Sequence, residues 1–293
     1  MDFHSRRITA ILENALREDS ATRDATSYAV VEANQRGTGT IISKGDCILS
    51  GVGMISSILD VFAALDGTVV AHGEVTSHPE IFDGVRLHRG QTIAVIRHNA
   101  RVILSCERVI LNFLQRMSGI ATLTRKYVEK IAGTKARILD TRKTVPGLRV
   151  LDKYAVTCGG GHNHRLDLSD GVLIKNNHIA IAGGVAKALE RAHRNRRGEQ
   201  PIEIEVRTMA ELEEALQHGA EALLLDNMPP DLVRQCVERA SSHSRRIPLE
   251  ASGGINLENV RQYAETGVDY ISVGSLTHSV PAVDLSLRIH PAQ

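Results

Sequence analysis

Between Leu139 and Asn177 the chain crowds Arg142, Lys143, Arg149, Lys153, His164, Arg165 and Lys175 into one glycine-interleaved stretch, LDTRKTVPGLRVLDKYAVTCGGGHNHRLDLSDGVLIKNN, although its formal net charge is only +1. A basic balance spread over a whole surface would suit nucleic acid or a membrane. A local excess in loop and strand-end sequence suits a pocket for a small, multiply charged anion. Arginine grips carboxylate or phosphate through two parallel hydrogen bonds, and each charge-assisted contact is worth about 1.5–3 kcal/mol. Arg142, Lys143, Arg165 and Lys175 are the candidates for that grip, against the alternative that each belongs to a structural ion pair.

Other groups with chemistry follow further along. Glu205 and Asp226 are carboxylates suited to sugar hydroxyls, to a developing positive charge, or to Mg²⁺ held through water. Ser252-Gly253-Gly254 and Gly274-Ser275 are glycine-containing turns whose backbone amides could cradle a phosphate. His162 and His164 form an H-x-H pair. Their cationic neighbours make a transition-metal site unfavourable and a hydrogen bond to an anion the better use. Gly159-Gly160-Gly161 matches no dinucleotide fingerprint. Cys47, Cys106, Cys158 and Cys236 have no paired spacing, which suits reduced core thiols.

These residues need elements to hold them. After about residue 100 the pattern becomes regular: apolar strands at Arg137–Leu139, Val172–Ile174, Ile202–Val206, Ala222–Leu225, Ile247–Leu249 and Tyr270–Val273 alternate with helical segments such as Met209–His218, Pro230–Ala240 and Asn256–Thr266. Repeated βα units make a parallel sheet. Polar groups stand at the end of every strand, which is the pattern of a βα barrel with its active site on the C-terminal rim; an open doubly wound sheet would concentrate them at one switch point. Val102–Ile131 reads as a long helix interrupted at Ser118-Gly119. The first third is a mixed α+β unit. Ile8, Ile11, Leu12, Ala15 and Leu16 recur at helical spacing, Tyr28–Asn34, Gly39–Ser43, Gly67–Val75 and Gln91–His98 read as strands, and Val52–Leu65 reads as a helix.

The 293 residues, 42% hydrophobic and 24% charged, provide ample core for one large domain or two moderate ones. Aromatic content of 3% with no Trp leaves few stacking platforms for single-stranded nucleic acid. No apolar run approaches the ~20 residues of a membrane span. The N-terminus is amphipathic rather than signal-like, so a cytoplasmic location is expected.

Taken together, ERVILNFLQRMSGIAT, DTRKTVPGLRVLDKYAV, GGGHNHRLDLSDGVLIKNNHI, LLLDN, LEASGGI and ETGVDYISVGSLTHS resemble the quinolinate phosphoribosyltransferase (decarboxylating nicotinate-nucleotide diphosphorylase) family from about Glu107 to Ser279. The N-terminal third is similar more loosely, through its layout and the Glu18–Thr26 stretch. The resemblance implies an α/β fold, with an N-terminal α/β sandwich over residues 1–112 and an incomplete parallel βα (TIM-like) barrel over 113–293, the C-terminal tail packing back on the first domain. It implies conversion of quinolinate and phosphoribosyl pyrophosphate to nicotinate mononucleotide, pyrophosphate and CO₂, with Mg²⁺ as cofactor.

By the same similarity, Arg142, His164, Arg165 and Lys175 bind the quinolinate carboxylates, and Arg108 is supplied across the interface of at least a dimer. Lys143 lies between the two substrates. Glu205 and Asp226 face ribose and metal, and Ser252, Gly253, Gly254, Gly274 and His278 bind phosphate. Asn176 and Arg207 stand where the family usually carries acidic residues. Three competing readings remain at this level: a related transferase with another acceptor such as nicotinate, a Schiff-base aldolase using Lys175, and a non-catalytic phosphate-ligand binder.

Overall fold

The computed structural model describes residues 1–67 and 73–292. Contacts divide the chain into two compact units, the first built from residues 1–123, 145–160 and 280–293 and the second from 124–144 and 161–279. The stretches 145–160 and 280–293 of the first unit lie beyond the 112/113 boundary read from the sequence.

In the first unit, Ile8, Leu12 and Leu16 bury one stripe of helix α1 (Arg6–Glu18), as their fourfold spacing demands. A short 3₁₀ turn leads to α2 (Ala25–Val30), which replaces the strand expected at Tyr28–Asn34. The reason is a cap: the Asp24 side chain accepts the Ser27 amide at 3.0 Å, and this local bond outweighs the β preference of Tyr28 and Val30. Strands β1 (Arg36–Ser43) and β2 (Cys47–Ile48), helix α3 (Met54–Asp66), and strands β3 (Glu74–Thr76), β4 (Arg86–Leu87) and β5 (Thr92–Asn99) follow. The strand expected at Gly67–Val75 falls mostly outside the described residues.

Helix α4 (Ala100–Lys130) runs 31 residues without the break expected at Ser118-Gly119. Ser118 is there for its hydroxyl, which accepts the Ser50 amide at 3.0 Å. Gly119 is there for its missing side chain, because a Cβ would collide with the Pro281 carbonyl oxygen. A helical glycine costs about 1 kcal/mol against alanine, and here it permits the C-terminal segment to pass at close range. That segment ends in the last strand of the chain, Leu285–Pro291, which pairs antiparallel with β1 and completes a sheet in which β1 and β5 are the inner strands and β3 the other edge.

The second unit begins with the end of α4 and strand β6 (Arg137–Leu139). Helix α5 (Arg149–Cys158) belongs to the first unit. The second unit resumes with β7 (Val172–Ile174), α6 (Asn176–Ala182), α7 (Val185–Asn195), β8 (Ile202–Val206), α8 (Met209–Gln217), β9 (Ala222–Asp226), α9 (Pro230–Ser241), β10 (Leu249–Ser252), α10 (Val260–Ala264), β11 (Tyr270–Ser272) and α11 (Ser275–His278). The closing strand of the chain, already placed in the first sheet, is β12. Strand β10 starts two residues later than the sequence pattern suggested, and α10 is shorter than the expected Asn256–Thr266.

All pairings in the second unit's sheet are parallel, in the order β6-β11-β10-β9-β8-β7. The sheet has six strands with β6 and β7 at its two ends, an incomplete TIM-like barrel. Side-chain alternation decides what faces inward. In β8, Ile202, Ile204 and Val206 are buried, while Glu203 and Glu205 point to the other face, into the barrel. In β10, Leu249 and Ala251 alternate in the same way with Glu250 and Ser252, both of which line the barrel interior. Among the described residues no helix is long and apolar enough to cross a membrane.

Candidate active site

Two cavities open inside the barrel, and they meet. One, about 610 Å³, lies at the C-terminal ends of the strands. The other, about 590 Å³, is lined by strand starts such as Arg137, Val172, Pro201, Ala222 and Tyr270. His164, Arg165, Leu173 and Glu250 line both.

The upper cavity gathers the residues singled out from the sequence: Arg142, Lys143, His164, Arg165, Lys175, Glu205, Asp226, Ser252, Gly253, Gly254, Gly274 and His278 all line it. Arg108 does not; it is exposed on α4 within the first unit. Arg149 and Lys153 lie on α5, also in the first unit, and His162 lines only the lower cavity.

Each wall has a local cause. After β6 the loop is fixed by the fully buried Asp140, whose carboxylate accepts the His164 amide at 2.9 Å and thereby ties the two cationic loops together. The Thr277 hydroxyl donates to the Lys143 carbonyl at 2.7 Å and holds the Arg142-Lys143 segment against α11. Arg165 is held below its ordinary value, by burial first and by the charge of Arg142 second. Two cations forced together in this way form a site that an anion relaxes.

Opposite in charge, the ends of β8 and β9 bring Glu205 and Asp226 into the same cavity. Burial, then repulsion from Asp226, raises the Glu205 carboxyl above its usual range; the charge of Lys175, the Asn176 amide and the charge of Arg207 pull the other way. Asn176 and Arg207 thus both act on Glu205, one through its backbone and one through its charge.

The glycine turns at the last strands are built by close approach. Gly253 and Gly254 have φ of +93° and +64°, and a Cβ on Gly253 would strike the Asn227 side chain. Asn227 itself has φ of 54° and donates its amide to the Ser252 carbonyl at 2.8 Å. At Gly274 a Cβ would sit 3.2 Å from both the Lys143 Cδ and the His278 Nε2, so glycine lets these two side chains reach the same loop. Successive backbone amides in such turns form an anion-binding concavity.

Below this layer lies a cluster of three titratable side chains. The His164 Nε2 sits 3.3 Å from Glu203 and 3.4 Å from Glu250. Burial alone would lower the imidazole, but hydrogen bonds to the two glutamates and their charge push it up to about 10. Its Nδ1, however, accepts the Arg165 amide at 2.7 Å, which requires a lone pair there. Burial and the charge of Glu203 also raise the Glu250 carboxyl. His164 and Glu250 are thereby both biased toward their protonated forms. The alternation IEIEV and LEAS is the signal that locates it, because Glu203 and Glu250 share the faces of Glu205 and Ser252.

The lysine reading for a Schiff-base enzyme finds no support in this geometry: Lys175 is exposed at the mouth, whereas such a lysine works by desolvation. The cysteines are unpaired with one another; Cys47, Cys106 and Cys236 are buried and Cys158 is half-buried.

A parallel barrel that offers cations from its two edge strands, carboxylates from its middle strands and glycine turns at its last strands belongs to the class of barrel enzymes that act on polyanionic, phosphate-bearing substrates. Comparison with known proteins narrows the class. Residues 24–118 match the family model described as quinolinate phosphoribosyl transferase, N-terminal domain, and residues 120–288 match its C-terminal domain.

The chain is 42% identical over 289 residues to a nicotinate-nucleotide pyrophosphorylase [carboxylating] of Mycobacterium leprae, covering 98% of each chain. It is 41% identical to a probable enzyme of the same name from Bacillus subtilis, over 97% of this chain and 93% of that one. The crystal structure of NadC from Streptococcus pyogenes superposes with a TM-score of 0.89 at 35% identity, covering 98% of this chain and 97% of the other. The chain belongs to the quinolinate phosphoribosyltransferase family.

Proposed function

We infer that this chain transfers the phosphoribosyl group of phosphoribosyl pyrophosphate to quinolinate with decarboxylation, giving nicotinate mononucleotide, pyrophosphate and CO₂, a step of de novo NAD biosynthesis. The observation that carries this reading is the single upper cavity, which joins Arg142, Arg165 and Lys175 with Glu205, Asp226 and the Gly253-Gly254 and Gly274 turns.

The chemistry follows from the placement. The pyridine nitrogen attacks with its own lone pair, so the acceptor needs no general base. It needs positioning, which the cations supply by holding its carboxylates. As pyrophosphate departs, positive charge builds on the ribose, and Glu205 and Asp226 stabilise it from the ends of β8 and β9. Lys143 faces the departing phosphates from the loop that Thr277 fixes. After transfer the cationic ring nitrogen stabilises the electron pair left on the adjacent carbon when CO₂ leaves.

Magnesium fits the acidic side of the cavity. Glu205 and Asp226 repel each other, and Glu205 is raised in consequence of its burial and of that repulsion. A divalent cation held by these two carboxylates, directly or through water, removes the strain and neutralises phosphate charge when bound. The family resemblance, together with the exposure of Arg108, supports a role for this arginine in the neighbouring subunit's site and a working enzyme that is at least a dimer.

The reaction is tested by supplying quinolinate and nicotinate separately with phosphoribosyl pyrophosphate and measuring pyrophosphate and CO₂. Release of both with quinolinate supports the reading; pyrophosphate with nicotinate alone refutes the acceptor, and none with either refutes the transferase.

A further inference from the structure

The decarboxylating step leaves a carbon that must gain a proton, and the roles assigned above supply none. When CO₂ departs, the bond between pyridine C2 and its carboxyl carbon breaks and both electrons stay on C2. Product forms only when a proton arrives there. The floor of the upper cavity contains one buried acid that none of those roles uses.

Glu250 is 3% exposed and lies on β10 one inward position below Ser252. It lines both the upper and the lower cavity. Its Oε2 meets the His164 Nε2 at 3.4 Å, while its Oε1 is buried. The groups that face it are His164 from the loop after β6, Glu203 from β8 through that histidine, and the buried Ser272 hydroxyl from β11, which donates toward the carboxylate. A buried carboxylate beside a second carboxylate holds a proton readily.

We propose that Glu250 is the proton donor of the decarboxylating step, with His164 and Glu203 as the residues that position and charge it. The balance is closed. The Glu250 O–H bond breaks, its proton forms the C2–H bond of nicotinate mononucleotide, and a carboxylate remains. Water in the lower cavity, which Glu250 and His164 also line, returns the proton before the next turnover.

A metal on the same three side chains is the competing use, since their ligand atoms lie within 4.8 Å of one another. The histidine argues against it. A metal-bound imidazole donates its other ring N–H to a neighbour, whereas the His164 Nδ1 accepts an amide and leaves the proton on the nitrogen that faces the glutamates.

The proposal rests on quinolinate as acceptor, and the experiment separates the two. Rapid quench of a single turnover follows pyrophosphate, CO₂ and nicotinate mononucleotide in the unaltered enzyme, Glu250→Gln and Glu250→Asp. Failure of the acceptor assignment shows as no pyrophosphate from quinolinate with the unaltered enzyme. If Glu250 is the donor, Glu250→Gln forms pyrophosphate within about threefold of the unaltered rate, while nicotinate mononucleotide appears about 100-fold more slowly, the size of a lost general acid. Glu250→Asp recovers part of that loss.

The solvent deuterium isotope effect on nucleotide formation provides a check that needs no variant: an effect above about twofold is expected, and none overturns the proposal. It is also overturned if Glu250→Gln keeps product formation in step with pyrophosphate. A stoichiometric divalent ion that survives gel filtration with chelator and is lost in Glu250→Gln would overturn it as well.

Discussion

Replacing Arg142 by lysine tests the anion-gripping reading most directly, because it keeps the charge and removes only the fork. Arg142 and Arg165 line one cavity, and burial together with the charge of Arg142 already depresses Arg165. The site therefore holds two guanidinium groups at a like-charge cost that a bound dianion repays. A lysine at position 142 retains the charge but offers one direct bond where the guanidinium offers two parallel ones. One lost charge-assisted hydrogen bond is worth about 1.5–3 kcal/mol. At ~1.4 kcal/mol per factor of ten, the Kd for quinolinate should rise about 10- to 150-fold.

Calorimetric titration of quinolinate into the folded variant gives Kd, and steady-state kinetics give KM and kcat. The loss should fall on Kd and KM for quinolinate, with KM for phosphoribosyl pyrophosphate within about threefold of the unaltered value. If quinolinate affinity stays within about threefold, Arg142 holds no carboxylate and the cavity needs another occupant.

Other outcomes follow from the same geometry. Glu205→Ala should lower kcat by about 100-fold or more with little change in substrate affinity, since its charge matters as the ribose becomes cationic; unchanged turnover in a steady-state assay would remove that role. In the first unit, Arg116 grips the fully buried Asp152 through two bonds of 2.9 and 2.7 Å, so Arg116→Met removes the paired guanidinium and leaves a buried carboxylate with the Val145 amide. The cost is about 3–5 kcal/mol, read in urea unfolding, and a loss below about 1 kcal/mol would refute it. Asp269 meets burial that would raise it, but the Leu249 amide, Lys135 and Arg246 overcome this and hold it below its ordinary value of 3.8. A depressed carboxylate stabilises the fold above its unfolded-state value and loses that contribution as pH falls through the folded one. Asp269→Asn should therefore melt lower than the unaltered protein at pH 7, with the gap closing below about pH 4; a gap independent of pH would contradict the ion-pair account.

The elements were legible wherever local pattern and tertiary packing agree. The apolar strands of the barrel and the stripe of α1 are examples, since burial imposes the same period that the sequence shows. They were misread where a single contact overrode propensity. Asp24 turns Tyr28 and Val30 into a helix, and the passage of Pro281 explains a glycine that looked like a helix break. The candidate site was legible as a set of strand-end residues because a barrel rim collects such positions whatever their separation in sequence.

What the sequence determined by itself is the chemistry on offer: a local surplus of cations, two carboxylates and two glycine turns, each at the end of a predicted strand. It could not show which of the cations share a cavity. Arg149 and Lys153 read the same as Arg142 and Lys143, yet the fold assigns helix α5 to the first unit and keeps only the second pair at the mouth. Nor could it pair His164 with Glu203 and Glu250, which lie far along the chain and meet only because parallel strands set inward side chains side by side. Proximity across strands is a property of the folded parallel sheet, and proton affinity, charge repulsion and hydrogen bonding all follow from that proximity.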